Sequence, residues 1–257
     1  MHTTAIISRS IRLAWNNKVL WFFAVLLALG AFGSEPIAEE QSPSFAIEAF
    51  AFLLMTFAWP ALTRSCVRVL QHEQPSLAKG IKDGAAFFGK YLWIKLVFAV
   101  LAFLFGGVAT GIIDGLGSVI SLLLGLILFI SVGSVYFLYT DLCTTALVVE
   151  DLSVTEAYVR GWKVLSLGFW KWIGFSVALA FAALIGLIIV AVPTALILLP
   201  LIERFFLGTP FFYVIAVGGA TILLVLAGFG NTAYQLAWTN AYIEMRQRET
   251  VDPPMDE

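Results

Sequence analysis

Six stretches of continuously apolar sequence, at residues 19–32, 45–62, 91–113, 119–138, 172–199 and 211–229, set what this chain can become. A bilayer's hydrocarbon core is about 30 Å thick, and a helix needs about 20 apolar residues to cross it. A membrane barrel would instead alternate apolar and polar residues over about ten positions. Runs such as LLLGLILFISV (residues 122–132) do not alternate. The sequence therefore predicts helices, whose backbone hydrogen bonds close within each segment and need no water. Of the 257 residues, 60% are hydrophobic and only 12% charged, against about 25% charged in a soluble domain. Too little polar surface remains to cover a globule in water. The expected fold is all-α, a polytopic membrane helix bundle with six transmembrane helices in one integral membrane domain.

Charge sets the orientation, because Lys and Arg favour the cytoplasmic side of a membrane. With the N-terminus inside, Arg9, Arg12 and Lys18 precede the first span. Arg64, Arg68, Lys79, Lys82, Lys90 and Lys95 then flank the connection between spans two and three. Arg160, Lys163 and Lys171 flank the connection between four and five, and Arg246 and Arg248 follow the sixth. Of the 15 Lys and Arg residues, only Arg204 falls outside. The first outer loop, residues 34–44, carries acids and no base, and the second is little more than residues 114–117. Both termini are expected in the cytoplasm. The first stretch is short and ends near Ala31 and Gly33, as a secretory leader would. Ala14 and Trp15 extend it backwards into an amphipathic lead-in, so an uncleaved helix is expected. Cys66 and Cys143 fall near cytoplasmic span ends, where thiols stay reduced, and no disulfide is expected.

The inner connections carry a pattern of their own. Residues 4–18, 76–89 and 153–168 mix apolar and basic residues at helical spacing. Each reads as an amphipathic helix lying in the interface, basic side toward anionic headgroups. KGIK (residues 79–82) and RGWK (160–163) align 81 residues apart, and the same offset places Phe88 on Phe169 and Lys90 on Lys171. Arg9 and Arg12 share the spacing of Lys79 and Lys82. Parallel repeats about an axis along the membrane normal are a known plan. They suggest three units of interfacial helix, outgoing span and returning span, at 1–70, 71–150 and 151–248, followed by an acidic disordered tail at 249–257.

Chemistry-bearing patterns are scarce. The sequence holds no P-loop, GxSxG elbow, dinucleotide fingerprint, CxxC or HExxH. No catalytic residue, metal ligand or cofactor is assigned. Gly106, Gly107, Gly218 and Gly219 lie inside apolar runs, where small residues let helices approach closely. Pro193 and Pro200 are expected to bend or end the fifth span. Ionisable groups within spans are costly and point to function by default. Asp141 lies inside an apolar run that extends the fourth helix over residues 118–149. Asn231, Gln235, Trp238 and Tyr242 share one face of the sixth. The expectation is a polar cavity or interhelical link built from Arg64, Asp141, Asn231 and Gln235, with Arg64 pairing Asp141. Lys79, Lys82, Arg160 and Lys163 are the candidate contacts to lipid headgroups.

Three segments carry a family resemblance: AWNNKVLWFF (residues 14–23), ALVVEDLSVTEAYVRGWKV (146–164) and AWTNAYIEMRQR (237–248). On these the chain resembles a group of six-helix bacterial inner-membrane proteins. That group is similar to the membrane domain preceding the catalytic domain in some bacterial glycerophosphodiester phosphodiesterases. The resemblance implies a multi-pass protein of a bacterial cytoplasmic membrane. No phosphodiesterase domain is present in these residues, so that activity does not carry over, and the resemblance assigns no functional residues.

The leading expectation is a non-enzymatic membrane protein of structural or interaction type, acting in the cell envelope or a membrane complex. Its partners would be the lipid bilayer, anionic lipids and other membrane proteins, with no nucleic acid. The alternatives are a small transporter or channel using the inner polar residues, and a lipid-handling protein using the basic interfacial segments.

Overall fold

In the computed structural model, which describes residues 2–33, 45–114, 118–204 and 210–251, every element is an α-helix. They are α1 (Thr3–Asn16), α2 (Val19–Gly33), α3 (Phe45–Leu70), α4 (Leu77–Asp114), α5 (Ser118–Val149), α6 (Val154–Arg204) and α7 (Pro210–Val251). Residues 34–44, 115–117, 205–209 and 252–257 lie outside the described residues, and α7 runs three residues into the tail expected at 249–257.

Among the described residues, five helical stretches are long and apolar enough to cross a membrane: Ala46–Leu70, Leu77–Gly106, Val132–Val149, Val154–Gly186 and Val217–Gln247. A sixth qualifies only when α1 and α2 are joined across a 101° bend. The reason is length, since 15 residues of α2 rise only about 22 Å at 1.5 Å per residue. Helix composition of this kind fits a multi-pass membrane protein.

The amphipathic lead-in at 4–18 is a separate helix, α1, turned away from α2. Its bend is closed by the Trp21 indole, whose Nε1–H donates to the Ala14 carbonyl at 2.8 Å. The segment 153–168 is also set off. Gly168 has non-helical backbone angles (φ −152°, ψ 34°), and the Trp172 indole donates across that break to the Val164 carbonyl at 3.2 Å. The break expected near residue 89 does not occur, and α4 runs uninterrupted from Leu77. Phe87, Tyr91, Ile94 and Phe98 form one buried stripe against α5 and α6, and that stripe crosses the expected boundary. A face buried on both sides of a boundary keeps the helix axis continuous. Pro193 and Pro200 likewise fail to end α6, which continues to Arg204.

α3, α5 and α7 touch one another at the centre, and α2, α4 and α6 pack outside them. Three apolar clusters fill the basic half of the bundle, the half that holds α1 and the starts of α4 and α6. One joins α2, α3 and α7 around Phe23, Leu62 and Leu236. Another joins α4, α5 and α6 around Tyr91, Ile94 and Leu147. The third sets Trp172 and Trp238 between α5, α6 and α7, with ring centroids 5.3 Å apart. In RSIR (residues 9–12), KGIK and RGWK, the second residue is small and buried each time: Ser10, Gly80 and Gly161. A Cβ at Gly80 would overlap the Phe23 ring, and one at Gly161 would stand 3.0 Å from the Cys143 backbone nitrogen. Small residues there bring the basic segments against the core.

Candidate functional site

The polar residues of the central helices form three groups rather than one cavity. One centres on Asp141, half-buried on α5. It faces the Lys95 ammonium of α4 and the Tyr234 hydroxyl of α7. Lys95 lies over two rings, 5.8 Å from the Trp59 centroid and 5.4 Å from that of Tyr91. An ammonium between aromatic faces keeps part of the stabilisation it loses with water. Tyr234 in turn stacks on Trp238 with the rings 5° from parallel.

The second group links α3 to α7. Gln235, only 1% exposed, donates from Nε2 to Thr63 Oγ1 at 2.7 Å, and Thr63 donates to the Trp59 carbonyl at 2.9 Å. Gln235 Oε1, Trp238 Nε1 and Thr239 Oγ1 are buried without hydrogen-bond partners among the described residues. Asn231 is apart from them, with Nδ2 3.4 Å from the Ala24 carbonyl of α2.

The third group closes the basic end of α5. Arg64 donates to the Val148 carbonyl at 3.0 Å and lies 3.5 Å from that of Val149. These are last-turn carbonyls with no partner inside the helix, where a cation is favourable. In the next residue, Glu150 Oε1 accepts from the Tyr242 hydroxyl at 2.6 Å and from Arg160 Nε at 3.1 Å, with Arg246 Nε at 3.5 Å. Lys90 reaches the Leu152 carbonyl at 3.2 Å, so the turn after α5 is tied to α4, α6 and α7 together.

The four residues expected to meet do not share one site. Arg64 caps α5 instead of pairing with Asp141, and the cation near Asp141 is Lys95. Asn231 and Gln235 serve different neighbours. Helical spacing gives a residue's depth along its own helix but not which neighbour it faces. Glu150 and Tyr242 are the polar partnership that sequence reading missed. The available signal was an acid directly after the α5 apolar run, with Arg160 ten residues on. Of the candidate headgroup contacts, Lys79, Lys82 and Lys163 are exposed, whereas Arg160 is held by Glu150.

A cavity of about 750 Å³ opens at the basic end between α1 and the last turns of α3 and α7. His2, Arg9, Gln71, Asn240, Glu244, Arg246 and Gln247 supply its polar lining. A smaller one of about 380 Å³ lies beside Glu150, Arg160 and Lys163. Neither is lined by Arg64, Asp141, Asn231 or Gln235. Among the described residues no three His, Cys, Asp or Glu side chains gather as metal ligands. At the exposed start of α6, ahead of the Gly168 break, Ser153 and Glu156 form a reciprocal cap, with the Ser153 N–H donating to Glu156 Oε2 at 2.8 Å. Those bonds from Ser153 hold the exposed Glu156 carboxyl below its ordinary range.

No known protein family, curated protein or solved structure matches the chain. The functional reading therefore rests on the geometry alone.

Proposed function

We propose that the chain is a multi-pass protein of a bacterial cytoplasmic membrane, with both termini on the cytoplasmic side, that acts by interaction rather than by catalysis. Its partners are anionic lipid at the basic end and other membrane proteins within the bilayer. One observation carries this reading: Gln235 to Thr63, Tyr242 to Glu150 and Arg64 to the Val148 carbonyl tie α3, α5 and α7 together, while Thr56, Ser65, Thr140, Thr144 and Thr232 bond within their own helices. Large side chains at the same depth, including Trp172, Trp238 and Leu142, are fully buried. Polar groups placed this way fix helices against each other. The lipid contact is supported by exposed Arg9, Arg12, Lys18, Lys79, Lys82 and Lys163, interleaved with exposed Trp15, Ile81 and Trp162. Each cation near an anionic surface contributes about 1 kcal/mol.

Extraction into nanodiscs under native conditions, followed by mass spectrometry of co-purifying proteins, tests the proposal. A stoichiometric membrane-protein partner supports it. Solute or ion flux through reconstituted protein, abolished by Asp141→Asn, overturns it in favour of transport. The specific observation behind that second reading is the Lys95–Asp141 pair, since ionisable residues at such depth often line transport paths.

A further inference from the structure

We propose that the larger cavity at the basic end binds a phosphate-bearing headgroup. The site rests on and deepens the anionic-lipid part of the interaction reading, and it neither requires nor excludes a protein partner. Its volume of about 750 Å³ falls within the range of about 300–1,000 Å³ common to ligand sites. Two guanidinium groups face it from different elements, Arg9 on α1 and Arg246 on α7. Arg246 is oriented by its Nε contact to Glu150 at 3.5 Å. Arginine presents donors in a planar fork that matches two phosphate oxygens at once. Gln71 and Asn240 add amide donors, against the single carboxylate of Glu244. α1 starts at the rim with no side-chain cap and no acid in its first turn, so nothing negative there opposes an anion.

The rest of the lining is apolar: Ile6, Val67, Leu70, Val149 and Ile243. A cationic rim over an apolar floor suits a ligand with an anionic head and a hydrocarbon part. α1 also makes a 101° bend with α2, the posture of a helix lying at headgroup level. The ligand chemistry is a phosphate group, from a lipid or from a soluble phosphate ester.

The full chain in nanodiscs provides the test. In one arm, protein from mixed phosphatidylglycerol and phosphatidylcholine discs is ejected into a mass spectrometer and retained lipids are counted. In the other, radiolabelled inorganic phosphate is titrated in discs of phosphatidylcholine alone. Arg9→Gln is expected to lower the responding signal about tenfold or more, and Arg9→Lys to restore part of it. Lys171→Gln, exposed on α6 and not lining the cavity, leaves it unchanged. An unaltered thermal midpoint for Arg9→Gln shows that the variant folds. Arg9-dependent retention of one phosphatidylglycerol assigns a lipid headgroup. Arg9-dependent binding of inorganic phosphate assigns a soluble ligand. Lipid retention and phosphate binding that are both unchanged in Arg9→Gln overturn the proposal.

Discussion

Gln235 Nε2 donates to Thr63 Oγ1 at 2.7 Å, joining α7 to α3 at the middle of the bundle. Interhelical hydrogen bonds within membranes contribute on average about 0.6 kcal/mol, with larger cases near 1.7. Thr63→Val is expected to destabilise by about 1–2 kcal/mol, because it strands the buried Gln235 amide. Gln235→Leu removes both ends of that amide and should cost less. The pair changed together should cost less than the sum by about 1 kcal/mol. Unfolding of the four proteins in mixed micelles measures this coupling, and strict additivity would contradict the contact.

Gly161 lies so close to α5 that an added Cβ would sit 3.0 Å from the Cys143 nitrogen and 3.1 Å from its Cα. Backbone cannot move aside as the end of a side chain can. Gly161→Val should destabilise by about 1–3 kcal/mol through overpacking. Gly89, where nothing stands within 4 Å, provides the comparison. Gly89→Ala should be neutral or slightly stabilising, given the better helix propensity of alanine. Equal midpoints for Gly161→Val and wild type would show that α6 does not approach α5 this closely.

α3 and α5 end alike, each with a non-glycine residue in the left-handed region: His72 at φ 64° and Asp151 at φ 51°. After His72 the Glu73 N–H returns to the Arg68 carbonyl at 2.8 Å, the bond of a glycine-type helix stop. A side chain at such a position costs about 1 kcal/mol. His72 is exposed, so His72→Gly should raise stability by about that amount. Thermal unfolding in detergent checks it, and an unchanged or lower midpoint would contradict the geometry.

The Ser153–Glu156 cap carries a pH dependence with a definite sign. The bonds from Ser153 lower the folded-state pKa of Glu156, so their contribution is present above the ordinary value of 4.5 and is lost as pH falls through the lowered one. Amide exchange in the first turn of α6 should therefore rise on acidification more in wild type than in Glu156→Gln, each compared at the same pH. Parallel behaviour of the two would remove Glu156 from the cap.

How much of this was legible depended on whether one helix or two were involved. The limits of α5 at residues 118–149 could be read directly, because a span too long for its membrane is visible in its own apolar run. The lead-in at α1 was legible for the same reason. The continuity of α4 was not, since the stripe from Phe87 to Phe98 becomes one surface only when α5 and α6 cover it. Arg64 looked like a partner for Asp141 because both lie near the same depth. Its actual partners are backbone carbonyls at the end of α5, which no side-chain pattern reveals.

The central claim is that the half of α3, α5 and α7 at the basic end is packed rather than water-filled. Two native thiols report on it without mutation: Cys66 on α3 and Cys143 on α5 are both free and fully buried. Nanodisc-embedded protein, open to reagent from both faces, is treated with a charged maleimide, with Lys79→Cys as the exposed reference. The account predicts prompt labelling at position 79 and none at Cys66 or Cys143 until the protein is unfolded. Labelling of either native cysteine at a rate near that of position 79 would place water in the centre of the bundle and contradict it.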